Sequence, residues 1–215
     1  MNMAEDLQHE KVKLVVTSRG LEPARHVRSG LRNAIRGARV HGTGFRGIFA
    51  LAAEGDAVEL AKLVWRECAQ SIGHVTAILA TVESREEPIR DAAAVIGAAQ
   101  IGSGESFCFR LHKRGTHGLE KHTSRLEPEI GAAIWAALEV KHNKKPKVSL
   151  SNPDITVVAE ILGPIAAVGI FRRAWRVLPP PGSSSKTLTT TLIGASSSGK
   201  TSFSIGTIFS TTQSM

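Results

Sequence analysis

Tyrosine is absent from the 215 residues, and seven Phe and three Trp are the whole aromatic complement. So few rings leave little for a protein that would hold single-stranded bases by stacking. Cysteine is nearly as scarce. Cys68 and Cys108 each lie inside an apolar-periodic segment and neither belongs to a CxxC pair, which excludes a disulfide framework and a cysteine-based zinc site. Both read as buried thiols, because free cysteine behaves as a small hydrophobe. No apolar run reaches the roughly 20 residues of a membrane-spanning helix. The polar start, Met1 to Lys13, carries charges of both signs and lacks the apolar stretch and small-residue cleavage site of a secretory leader. A cytoplasmic protein with no membrane association is expected. Acids disappear altogether from Val177 onward, where 39 residues hold two lysines, Lys186 and Lys200, and 18 Ser or Thr. After the rigid Pro179-Pro180-Pro181-Gly182 break there is little apolar periodicity, so residues 178–215 are expected to form a disordered, low-complexity Ser/Thr-rich tail.

What is present in surplus is positive charge: 27 Lys and Arg against 19 Asp and Glu, a net +8. Such a balance favours an anionic partner, of which nucleic acid is the commonest, although a merely basic, solvated surface produces the same count. The folded body, about residues 10–177, alternates short β-branched runs with amphipathic helical stretches, the pattern of an α+β fold. Strands are expected at Lys13 to Ser18, Phe45 to Ala52 and His74 to Val82. Helices are expected at Glu22 to Ile35, where Val27, Leu31 and Ile35 share a face, and from Asp56 through Cys68. This order is that of a ferredoxin-like half. The turn Gly42-Thr43-Gly44-Phe45-Arg46-Gly47 approximates a dinucleotide fingerprint but leads into a strand instead of joining a strand to a helix, so it does not mark a nucleotide site. A connecting helix, Arg85 to Gln100, and a hinge at Gly102-Ser103-Gly104 precede further elements. These are strand Ser106 to Leu111, helix Pro128 to Val140, strand Lys147 to Leu150, the turn Asn152-Pro153-Asp154, and strands Ile155 to Leu162 and Ala166 to Arg173. The domains are accordingly 1–101, an N-terminal module with its connecting helix, 102–177, a second module, and 178–215, the tail.

Cations concentrate in three places of the second module. Arg110 to Arg125 (RLHKRGTHGLEKHTSR) holds five cations, three histidines and one acid. The others are Lys141, Lys144, Lys145 and Lys147, and then Arg172, Arg173 and Arg176. Loop-borne cations beside a rigid sheet are placed to grip phosphates, each neutralised phosphate adding salt-sensitive affinity. His112, His117 and His122 recur every five residues, a spacing that fits no usual helical ligand pair; phosphate contact or solvation suits them better. Trp65 and Trp135 fall on helical apolar faces and read as core, whereas Trp175, among arginines, stands open between core and RNA.

The second module resembles a known family, the THUMP domain, an RNA-binding module of tRNA-modifying proteins. Three phrases carry the resemblance, in the family's order: Phe109-Arg110-Leu111-His112-Lys113-Arg114, the stretch Ser124 to Gly131 (SRLEPEIG) leading into a helix, and Val148 to Asp154 (VSLSNPD) entering the strand Ile155 to Ile161. The preceding half resembles the N-terminal ferredoxin-like domain that partners THUMP, so the fold implied is a ferredoxin-like module followed by an α/β THUMP module. The resemblance implies a protein that holds the acceptor end of tRNA, with Arg110, Lys113 and Arg114 on the family's basic strand end. Electrostatics adds Lys121, Arg125, Lys144, Lys145, Arg172 and Arg173 as RNA contacts. Members usually join THUMP to a methyltransferase, sulfurtransferase, deaminase or pseudouridine synthase, and none of these is legible here. The chain is therefore similar to the free-standing, non-catalytic adaptors that help an RNA cytidine acetyltransferase modify tRNA, with no cofactor or metal expected.

One alternative comes from the tail. Gly194-Ala195-Ser196-Ser197-Ser198-Gly199-Lys200-Thr201 satisfies the pattern of a phosphate-binding loop after the strand-like run Leu188 to Ile193. A working loop needs a following helix and an acid for magnesium, and no acid follows Thr201. A nucleotide-binding protein or a tRNA-modification enzyme subunit is the competing class.

Overall fold

Every second residue of Lys13 to Thr17 is apolar and buried on one side, with Leu14 and Val16 at 0% exposure, as a strand under a layer of helices requires. In the computed structural model, which describes residues 12–20 and 22–177, this is β1 (Val12–Ser18) of a continuous eight-stranded sheet. Helix α1 (Ala24–Ala34) follows, then a hairpin of β2 (Arg39–Gly42) and β3 (Ile48–Ala52), helix α2 (Ala57–Cys68) and the long β4 (Ile72–Glu83). The order β2-β3-β1-β4, all antiparallel, is the ferredoxin-like arrangement. The second half supplies α3 (Glu86–Gln100), β5 (Ser106–Arg114), α4 (Thr123–His142), the two-residue β6 (Lys147–Val148), β7 (Ile155–Leu162) and β8 (Ile165–Arg172), ending in a 3-10 turn at Arg173–Val177. β5 and β7 run parallel, and β8 returns antiparallel between β7 and β4. The mixed α/β architecture matches the sequence reading. The expectations for residues 178–215, the phosphate-loop-like segment included, lie outside the described residues.

Local chemistry explains most boundaries. Asp56 caps α2, its carboxylate accepting the Val58 and Glu59 N–H groups at 2.9 and 3.0 Å, a contribution of about 1 kcal/mol. The strand expected at Phe45 to Ala52 starts only at Ile48, as the second arm of a hairpin with β2. Gly44 and Gly47 take positive φ, 75° and 73°, to turn the chain from β2 into β3, and the glycine-rich phrase serves this turn. The helix expected to start at Pro128 starts five residues earlier, at Thr123, with the His122 ring accepting the Ser124 N–H at 3.3 Å. Pro128 thus sits in its second turn.

The four helices of the described residues cover one face of the sheet. Leu31, Val64, Ile89 and Ile134 meet Leu14, Leu51, Phe107, Ile155 and Val168 in one core. The opposite face carries a smaller apolar cluster, Val15, Ile48, Ala50, Ile78, Leu162, Ile165 and Ala167, with Phe45 packed against it. The sheet curls toward this second face, for Phe45 in the β2–β3 turn reaches the end of β5, where a Cβ on Gly115 would fall 2.9 Å from its ring. Trp175 is 2% exposed, edge-on to Phe171, and so belongs to the core.

Candidate functional site

Strand alternation decides what β5 offers. Phe107, Phe109 and Leu111 enter the core beneath the helices, which turns Cys108, Arg110, His112 and Arg114 to the other face. β7 lies beside it in parallel register, with His112 opposite Glu160. Glu160, the one acid in the apolar run Ile155 to Leu162, is 1% exposed. His112 Nδ1 meets its carboxylate at 2.9 Å and Arg114 pairs with the other oxygen. Burial alone would raise this carboxyl, but the hydrogen bond from His112 and the charges of His112 and Arg114 outweigh it, leaving Glu160 below the ordinary carboxylate value. His74 on β4 lies against the same cluster, its ring 4.7 Å from that of Phe171. Burial pulls this imidazole down to about 4; attraction to Glu160 opposes, while His112, Arg176 and Arg114 add to the effect.

The loop after β5 and the start of α4 gather the rest of the first basic group. Lys113 donates to the Lys121 carbonyl. Lys121 bridges Glu129 of α4 at 2.8 Å and Glu86 of α3 at 2.9 Å, and these two carboxylates raise its pKa. Arg110 donates to Glu127 at 3.2 Å and to the Leu150 carbonyl at 2.6 Å, and the same Glu127 accepts the Leu111 N–H. Arg125 is exposed in the first turn of α4. Between the free edge of β5, α4 and β6 runs an apolar groove of about 390 Å³, floored by Phe107, Phe109, Trp135 and Val148, with Arg110 at its rim.

The other four expected contacts lie elsewhere. Lys144 and Lys145 are exposed just ahead of β6, which pairs with the beginning of β5 at Ser106 and Phe107. Arg172 at the end of β8 donates to Glu105 and to the Gln100 carbonyl, both at 2.6 Å, and Arg173 pairs with Asp154. Asp154 is held low chiefly by the Ser106 hydroxyl and N–H, with Arg173 assisting. The nine residues therefore fall into two groups, Lys113, Arg114, Lys121 and Arg125 toward one end of β5 and Lys144, Lys145, Arg172 and Arg173 at the other, with Arg110 midway along a strand that is about 26 Å from end to end. Five of them, Arg110, Arg114, Lys121, Arg172 and Arg173, face carboxylates of the protein itself.

Sequence reasoning passed over Glu160, whose signal was a lone acid within an otherwise apolar strand. It also passed over the arginines of the N-terminal half, whose signal was a shortage of neighbouring acids.

Residues 83–170, from the end of β4 through β8, match the profile of the THUMP domain. These residues are similar to a THUMP domain. The match points to RNA binding, and the basic β5 end and the groove beside it lie within the matched residues. No curated protein sequence matches the chain. Among solved structures, the fold is similar to PH1313 of Pyrococcus horikoshii Ot3, with 18% identity and a TM-score of 0.54 over 75% of this chain and 54% of that one. A 4-thiouridine synthetase solved with RNA and bound ATP shares 16% identity at a TM-score of 0.52, covering 75% of this chain and 41% of that one. A possible methylase from Clostridium difficile 630 shares 14% at 0.53, covering 74% and 40%. At these identities the likeness is one of fold. The chain spans about half the length of the first and two fifths of the other two. No helix among the described residues is long and apolar enough to cross a membrane.

Proposed function

We propose that this protein binds tRNA at its acceptor end and presents it to a modifying enzyme, such as an RNA cytidine acetyltransferase, acting in the cytoplasm as a non-catalytic adaptor. The observation that carries the reading is the THUMP match over residues 83–170, joined to a ferredoxin-like half in one sheet. In this reading the N-terminal module, 1–101, and the THUMP module, 102–177, grip the RNA together, and Arg110, Lys113, Arg114, Lys121, Arg125, Lys144, Lys145, Arg172 and Arg173 supply the THUMP side of the grip. Recognition rests on shape and phosphate contacts, as is usual for structured RNA. Lys113, Arg125, Lys144 and Lys145 are the cations there that face no carboxylate partner among the described residues, so they meet phosphate without first losing an ion pair.

The test is the affinity of the whole chain for tRNA and for tRNA trimmed of its 3′ end, across a salt series, with Lys113→Ala/Arg125→Ala alongside. Trimming should weaken binding, and the double variant should flatten the salt dependence by about 1.5 in log–log slope. Equal affinity for tRNA, trimmed tRNA and a DNA duplex of the same charge would refute acceptor-end binding. Addition of the chain to an RNA cytidine acetyltransferase should raise acetylation of tRNA without any turnover by the chain alone.

A second reading, an RNA-binding subunit of a tRNA-modification enzyme, draws on the fold shared with the 4-thiouridine synthetase and the possible methylase. A modification that appears on tRNA with the purified chain and a donor, and no other protein, would favour it.

A further inference from the structure

Positive charge is distributed unevenly along the chain. Residues 12–55 hold eight Lys and Arg against two Glu, whereas residues 102–177 hold twelve against seven acids. The N-terminal excess gathers on α1. Val27 and Leu31 are its buried positions, at 1% and 0% exposure. Arg25, Arg28 and Arg32 fall within about 60° of one another on the helix, away from that buried stripe. All three are exposed, as is Arg36 in the turn that follows. The acid nearest in sequence, Glu22, is taken up by His26 at 3.3 Å, and the other ring nitrogen of His26 meets Arg25 Nε at 3.4 Å, so Arg25 borders this pair while Arg28, Arg32 and Arg36 stand clear of it. Arg28, Arg32 and Arg36 have no carboxylate partner among the described residues, in contrast to Arg110, Arg114, Lys121, Arg172 and Arg173.

The arginine flank is also built into the fold. Arg28 lies over the Phe49 ring, 5.7 Å from its centroid, and its Nη2 occupies the space that a side chain on Gly42 would need, 2.6 Å from the position of a Cβ there. The flank thus runs beside β2, the edge strand at the far side of the sheet from β5 and β6. Steps of about 4.5 and 6 Å along the helix axis separate Arg25, Arg28 and Arg32, close enough for guanidinium groups to reach successive phosphates of one strand. Phe49, the ring beneath Arg28, is 3% exposed and offers no face to an unpaired base.

We infer that the Arg25–Arg28–Arg32–Arg36 flank of α1 is a second RNA-binding surface, one that takes the phosphate backbone of an RNA duplex without reading its sequence. The inference rests on the RNA-binding reading above and extends it: the THUMP end addresses the terminus, and the α1 flank addresses the helical stem. Guanidinium forks without acidic neighbours give up no ion pair on binding, so their phosphate contacts carry the larger share of salt-dependent affinity.

The experiment compares the full chain with Arg28→Gln/Arg32→Gln/Arg36→Gln on two RNAs, tRNA and a blunt RNA duplex lacking any single-stranded end, from 50 to 300 mM salt. The triple variant should lose at least tenfold in affinity for both RNAs and reduce the salt slope by about 2 to 3, with unchanged circular dichroism and Tm. The corresponding triple Lys variant, which keeps the charge, should retain most of the slope. Wild-type affinity and slope in the Gln variant would overturn the inference while leaving acceptor-end binding standing. Failure of the wild-type chain to bind either RNA would overturn both. Loss of binding to phosphatidylserine vesicles with RNA affinity intact would overturn it in favour of a membrane surface.

Discussion

His74 gives the fold a pH dependence that can be worked out in advance. Folding depresses its imidazole from an ordinary 6.5 to about 4, so between these values the unfolded chain binds a proton that the folded protein refuses. Stability must then fall as the pH falls, starting near 6.5 and levelling off below 4. For a shift of this size the full effect is about 3 kcal/mol, of which about 2 kcal/mol is lost between pH 7 and pH 5. Glu160 acts with the same sign, since a depressed carboxyl stabilises above its unfolded value and loses that contribution in acid. Its window begins only near 4.5, so the interval from pH 7 to pH 5 keeps the Glu160 contribution out of the measurement. Urea unfolding of the whole protein at half-unit steps over this interval measures the slope. His74→Leu, which keeps the contact with Phe171 without a titrating group, should flatten it. A wild-type midpoint that does not move between pH 7 and pH 5, or a slope that survives in His74→Leu, would refute the argument that burial of this ring dominates.

Two further outcomes follow from the sheet. Glu160→Gln leaves Arg114 and His112 without their buried counter-charge and should cost about 2 kcal/mol at pH 7, less than a fully buried pair because Arg114 keeps 22% exposure; urea midpoints would contradict this if they changed by less than a few tenths. Gly169→Ala sets a methyl group 1.9 Å from the Ala77 carbonyl oxygen and 2.7 Å from its carbon. Neither atom is the end of a flexible side chain, so β8 must part from β4 at a cost of at least about 3 kcal/mol, and a variant melting within a few degrees of wild type would show the strands to be less closely joined.

Periodicity carried much of this architecture into the sequence. Val27, Leu31 and Ile35 marked α1, Asp56 marked the start of α2, and the run Ile155 to Leu162 marked a buried strand. β2 escaped because four residues, Arg-Val-His-Gly, contain a single buried apolar side chain, Val40, and its pairing with β3 creates the strand. The site was legible as a set of cations and not as an arrangement. Arg114 meets Glu160 across 46 residues, Arg172 meets Glu105 across 67, and Arg173 meets Asp154 across 19. Which cations are already neutralised is therefore a property of strand register, and strand register is non-local. The α1 arginines were overlooked for the converse reason. They are spread at helical spacing and form no run, so they become a patch only when the helix is wound.

β4 belongs to both halves at once. Its first part, Ile72–Ala77, pairs with β1, and its second, Ala77–Glu83, pairs with β8. One uninterrupted backbone therefore crosses the point where a hinge would have to bend, and the arginine flank beside β2 and the strand end at Arg114 are held at a set separation. An RNA that touched both, as proposed, would be measured by a caliper whose two jaws share one sheet. On the proposal that both surfaces take RNA, a stem of the wrong length or curvature would miss one of the contacts whatever its sequence, because one continuous sheet joins the two.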